Sequence, residues 1–87
     1  QTLYMWHVNR FIEPNEKTKP EDKKPVGDFH FFNGKWILIN RRLNSLYDKD
    51  IDKKIEIGQY VELTESKKIL LSTEDGGRLI IVQLVNN

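Results

Sequence analysis

The chain has 87 residues, 31% of them charged, with 14 basic against 13 acidic side chains and a formal net charge of +1. That length supports one domain with a modest core, and the charge balance supplies no long-range attraction for nucleic acid or an anionic membrane. The absence of cysteine excludes disulfides and thiol chemistry and fits a cytoplasmic setting, and no apolar run approaches the ~20 residues of a membrane span.

Because the chain starts at Gln1, residues 1–87 read as a single β domain cut from a longer protein. In chain order, Leu3, Tyr4, Met5, Trp6 and Val8 suggest a first strand over 2–8. Residues 13–25 hold three prolines, four lysines and no large apolar side chain. Such a segment cannot bury itself, so 13–25 is expected to be a flexible polar loop. The runs 29–32 and 35–39 flank Asn33-Gly34. Asn-Gly accepts the positive φ that both central positions of a type I′ turn require, so a hairpin is expected here. Residues 41–53 are polar and read as loop, anchored by Leu43, Leu46 and Tyr47.

Short strands are then expected over 54–57, 60–63, 68–72 and 78–85, with turns at Gly58, at 64–66 and at 75–77. Nothing sustains a helical period; across 49–57 only Ile51, Ile55 and Ile57 are apolar. About seven short strands with regular turns predict an all-β domain, a sandwich or a small barrel. Period-2 alternation sends one face of each strand inward. Trp36 should therefore be buried, with Leu38 on the same strand face, or Ile37 if the register is off by one, together with Val61, Leu63, Ile69, Leu71, Ile80 and Val82. Phe29 and Phe31 should join that core, while Phe32 alternates away at the hairpin tip.

Catalytic readings fare badly, and the chain is expected not to be an enzyme. His7 and His30 sit on separate predicted strands at no ligand-like spacing, so no metal is expected. Asp48, Asp50 and Asp52 alternate as in a calcium loop, but the glycine and the later glutamate of that loop are missing at the required spacing. Ser45, Ser66 and Ser72 stand in turns or at strand ends without a glycine elbow, and a nucleophile needs a base and an orienting group. No cofactor is implied. A stacking platform for single-stranded nucleic acid would need exposed rings on a basic sheet face, which the near-zero net charge argues against.

The order of elements resembles the forkhead-associated (FHA) domain. The likeness rests first on Asn33-Gly34-Lys35-Trp36-Ile37-Leu38-Ile39-Asn40, similar to the family's hairpin ending in a Trp-bearing strand. The polar loop 41–47 follows, then Ile57 to Leu71 as strand, acidic turn and strand, then the closing strand from Arg78. Upstream, Val8-Asn9-Arg10 stands where the family has Ile-Gly-Arg, with Asn9 replacing the glycine. The family's Ser-x-x-His motif would fall near 23–27 and is absent; so is its later Asn-Gly, with Asn44 or Ser45 the nearest counterpart.

The resemblance implies a small antiparallel β-sandwich and a non-catalytic protein–protein interaction module of the signalling type. In the family, an arginine, a serine and loop donors hold a phosphothreonine phosphate by charge-assisted hydrogen bonds. Here the binding candidates are Arg10, Arg41, Arg42, Asn44 and Ser45, with Lys23 and Lys24 nearby. The partner would be a protein or phosphopeptide. The losses favour a domain that has kept the scaffold without the standard phosphothreonine site. The alternative is a structural or assembly β domain of a multidomain protein.

Overall fold

The computed structural model describes residues 1–12, 15 and 17–84. It is a small antiparallel β-sandwich of two four-stranded sheets. The strands are β1 (Thr2–Tyr4), β2 (Pro25–Phe32), β3 (Lys35–Asn40), β4 (Tyr47–Asp48), β5 (Lys53–Lys54), β6 (Tyr60–Leu63), β7 (Lys68–Leu70) and β8 (Leu79–Ile81). One sheet has the order β1-β2-β3-β6 and the other β5-β4-β7-β8. Among the described residues, no helix is long and apolar enough to cross a membrane.

The β2–β3 hairpin turns where Asn-Gly requires it. Asn33 and Gly34 have φ of 51° and 76°, the double positive of a type I′ turn. Pairing runs from Phe32↔Lys35 back to Gly27↔Asn40. This register puts Phe29, Phe31, Trp36 and Leu38 on one face, joined by Val61 and Leu63 of β6. The loop 41–46 crosses to the second sheet and plants Leu43 and Leu46 between the sheets. Leu38, Leu46, Ile69, Leu71 and Val26 are fully buried there, each contributing roughly 1.5–3 kcal/mol relative to exposure. Val61, Leu63, Ile69 and Leu71 are buried as alternation predicts, and Phe29, Ile80 and Val82 pack against the core from partly exposed positions.

Trp36 and Phe31 correct the expected core. They lie on the inward face, yet Trp36 is 41% and Phe31 61% exposed. Strand length is the reason. The eight residues of β2 span roughly 26 Å at ~3.3 Å per residue, whereas the strands of the opposite sheet are only two or three residues long. The distal row of the hairpin thus has no roof, and its two rings pack on each other at 5.3 Å, tilted by 54°. Phe32 is exposed, as its outward register requires.

Strand ends also differ from expectation. The first strand stops at Tyr4, where its register against β2 shifts, and Met5–His7 form a 3-10 turn. That turn is held by Met5 N–H donating to the Lys24 carbonyl and Val8 N–H donating to Met5. Within 13–25, Pro20–Lys23 form a second 3-10 turn and Pro25 already opens β2; positions 13, 14 and 16 lie outside the described residues. The strand expected over 54–57 shrinks to Lys53–Lys54, and the last strand to Leu79–Ile81; Val85 lies outside the described residues.

Candidate functional site

Strand direction decides what meets at each end of the sandwich. β1 and β3 finish, and β2 starts, at the end where the segments 5–10, 24–27, 40–46, 55–59 and 71–78 gather. Arg41, Arg42, Asn44 and Ser45 lie on this end, in the 41–46 loop. Binding sites tend to occupy such loop clusters because the rigid sheets below hold them in place.

The scaffold of this end depends on Asn40, a residue the sequence reading did not single out. Its side chain is fully buried. The amide nitrogen donates to the Leu43 carbonyl at 2.6 Å and to the Ile55 carbonyl at 2.7 Å, and Oδ1 accepts from Leu43 N–H at 2.8 Å. One side chain thus ties the 41–46 loop to the loop before β6. A polar residue closing an apolar strand just before a loop is a sequence signal for such a clamp. Arg41 and Arg42 N–H both donate to the Val26 carbonyl, fixing the loop against β2 as well.

A second clamp holds the other side. Asn9 Nδ2 donates to the Asp75 carbonyl, and its Oδ1 accepts from Phe11 N–H. Arg10 N–H donates to the Gly76 carbonyl, and Arg78 N–H to that of Val8. The approach is too close for a Cβ at either glycine of the turn. A Cβ at Gly76 would meet the Phe11 ring at 2.4 Å, and one at Gly77 the Ser72 carbonyl oxygen at 2.1 Å.

The five candidates do not form one cluster. Arg41 Nε pairs with Asp28 at 2.6 Å. Ser45 Oγ donates to the Leu71 carbonyl at 2.7 Å. Arg42 and Asn44 are exposed at the tip of the 41–46 loop and, among the described residues, make no side-chain hydrogen bond or ion pair. Arg10 lies elsewhere, on the flank where β1 and β8, the edge strands of the two sheets, face each other. There it borders an open hollow of about 680 Å³ together with His7 and Arg78.

That hollow has an apolar floor of Leu3, Phe29, Leu71 and Ile80, and no carboxylate among its lining residues. Neither arginine is ion-paired among the described residues; Arg10 stacks over Phe11, 5.1 Å from the ring centre. Burial first, and then the Arg78 charge, hold the His7 pKa below its usual 6.5. Tyr4 N–H reaches His7 Nδ1 at 3.0 Å and Trp6 Nε1–H reaches Nε2 at 3.1 Å. A neutral imidazole has one lone-pair nitrogen, so only one of these contacts is a hydrogen bond at a time, and the imidazolium can accept neither. Tyr4 and Trp6 stack beside it at 4.5 Å.

Sequence reasoning missed Arg78 and His7 as neighbours of Arg10, because 68 positions separate Arg10 from Arg78 and only the pairing of segment 8–10 with 76–78 joins them. The acids 48, 50 and 52 are spoken for. Lys67 reaches the buried Asp48 carboxylate and lies 3.7 Å from Asp50, while Asp52 pairs with Lys49. No group of three metal-ligating side chains occurs among the described residues. Compared with known proteins, the chain matches no family model, no curated protein and no solved structure.

Proposed function

We propose that this chain is a non-catalytic protein–protein interaction module with an FHA-like arrangement, which binds a partner at the hollow bordered by Arg10 and Arg78 without the standard phosphothreonine site. The observation that supports this reading is the division of the candidate residues. A tight phosphate cradle needs several cationic and hydroxyl donors aimed at one point. Here Arg41 is occupied by Asp28, Ser45 by the Leu71 carbonyl, and Arg10 borders a hollow that none of the other four lines. Arg10 and Arg78 instead stand over apolar side chains with no carboxylate beside them. That combination suits a protein segment carrying an acidic side chain next to an apolar one. The cysteine-free composition agrees with a cytoplasmic setting.

The test is an array of phosphothreonine peptides beside their unphosphorylated twins and acidic–apolar peptides, read with the wild-type protein and two double variants. Binding indifferent to the phosphate and lost in Arg10→Ala plus Arg78→Ala is the expected result. Binding that needs the phosphate and is lost in Arg41→Ala plus Arg42→Ala would restore the standard site. No binding by any class would remove the interaction reading at this hollow and favour an assembly domain.

A further inference from the structure

The second sheet ends on β8, and its outer edge is open. The Arg78 carbonyl and both backbone groups of Val82 are bonded to residues flanking β7. The Arg78 carbonyl accepts from Leu71, and Val82 donates to Lys67 and accepts from Ser66. Bonding direction alternates along an antiparallel strand, so Leu79, Ile81 and Gln83 aim their N–H and C=O away from β7. Among the described residues nothing pairs with them. Upstream this edge is closed, because Arg78 N–H is bonded to Val8 and Gly77 bridges Asn9. Downstream, Leu84 N–H donates to the Glu65 carboxylate at 2.6 Å on the side of β7. Among the described residues the open edge therefore runs over 79–83, centred on Ile81.

The other three edges carry protections against pairing, whereas β8, though only three residues long, has no charge, proline or bulge. β1 has a register shift, β5 is two lysines long, and β6 bears Glu62 in its middle. The 79–84 stretch is Leu-Ile-Ile-Val-Gln-Leu, without charge or proline. Its outward side chains Leu79 and Ile81 are 48% and 56% exposed.

We propose that this edge pairs with a second copy of the chain, β8 against β8 in antiparallel register about a two-fold axis at Ile81. This register pairs every open group of 79–83 with one on the second copy, whereas a two-fold nearer Arg78 would set open groups against the closed backbone at Gly77 and Arg78. It sets Ile81 against Ile81 and Leu79 against Gln83 on one face, and Ile80 against Val82 on the other. It also sets Arg78 opposite position 84 of the second copy, beside the Glu65 carboxylate held there. Each copy thus offers an arginine and a carboxylate that the other needs, twice across the axis. The contact closes on itself, as an isologous interface does, and joins the two second sheets into one of eight strands.

Five paired residues make a small interface, at the low end of specific contacts, so the dimer should be weak and transient. Sedimentation equilibrium should run over roughly 1 μM to 1 mM, the span of micromolar to millimolar affinities, with amide exchange followed at both ends. The expected result is a monomer–dimer equilibrium in which the amides of Leu79, Ile81 and Gln83 slow down at high concentration. Ile81→Pro removes an N–H that β7 does not use and should weaken dimerisation at least tenfold; Ile81→Lys should do the same and serves if the proline variant does not fold. Arg78→Glu should weaken it, and Arg78→Glu with Glu65→Arg should restore it. A monomer at every concentration would overturn the proposal. So would a dimer that survives both Ile81 variants, or one whose formation leaves the three amides unprotected.

Discussion

Replacing Asn40 by alanine should cost this domain a large part of its stability. The side chain has no access to solvent and makes three hydrogen bonds, to Leu43 N–H, Leu43 C=O and Ile55 C=O. Leu43 and Ile55 are themselves buried, so none of the three backbone groups reaches water when the amide is removed. An unsatisfied buried donor or acceptor costs about 1–3 kcal/mol, and some relaxation will occur, so the sum should be about 3–5 kcal/mol. A domain of this size has only about 5–10 kcal/mol in total. At about 4–8 °C per kcal/mol, the midpoint should fall by roughly 12–40 °C. Urea unfolding should show a lower midpoint with an unchanged slope, as expected when stability changes and the exposed area does not. Asn40→Asp keeps the shape but turns acceptor oxygens onto two carbonyls. It should be at least as damaging at neutral pH and should partly recover in acid, where the carboxyl regains a donor. An Asn40→Ala protein within about 1 kcal/mol of wild type would refute the clamp, because a single surface-grade hydrogen bond accounts for that much.

Gly77→Ala should destabilise by about 3 kcal/mol or more, since its Cβ would lie 2.1 Å from the Ser72 carbonyl oxygen and backbone would have to move. Gly34→Ala, with open space around it and only its positive φ against it, should cost about 1–2 kcal/mol; equal urea midpoints for the two variants would contradict the close approach of the 72–78 turn. Stability should also fall in mild acid through His7. Its folded pKa lies below 6.5, so between the two pKa values the unfolded chain binds more protons, and the contribution is complete above pH 6.5 and lost as pH drops through the folded value. His7→Gln should remove that part of the pH dependence. An identical pH slope in wild type and variant, read from urea midpoints at pH 7.5 and 5.5, would count against it.

Much of the architecture was legible in the chain because it is encoded locally. Asn33-Gly34 can take the two positive φ values of a tight hairpin turn, and it does. Alternation in 60–63 and 68–71 marks one inward face whatever the strands pack against, so Val61, Leu63, Ile69 and Leu71 are buried where period 2 puts them. The anchors Leu43 and Leu46 stood out as the apolar residues of a polar loop. Other features depend on what lies opposite. Trp36 and Phe31 obey the alternation and are still exposed, because short strands across the sandwich leave their row uncovered, and no pattern within 29–36 reports the length of β7 or β8.

The candidate site shows the same division. Local residue types identified Arg10, Arg41, Arg42, Asn44 and Ser45 as groups able to meet an anion. Which of them are committed elsewhere is a tertiary fact: Asp28 faces Arg41 across paired strands, and Leu71 presents its carbonyl to Ser45 from the other sheet. Arg78 and His7 joined Arg10 through backbone pairing between segments far apart in sequence. The sequence alone determined the β2–β3 hairpin, β6 and β7, the turn chemistry and most of the buried face, since these follow from steric preferences and a two-residue period within a few positions. It did not determine β4, which lies in a stretch read as loop. Only the tertiary structure decided which edge stays open, which aromatic row lacks a roof and which arginines remain unpaired, because each of those depends on distances between residues that the chain brings together only by folding.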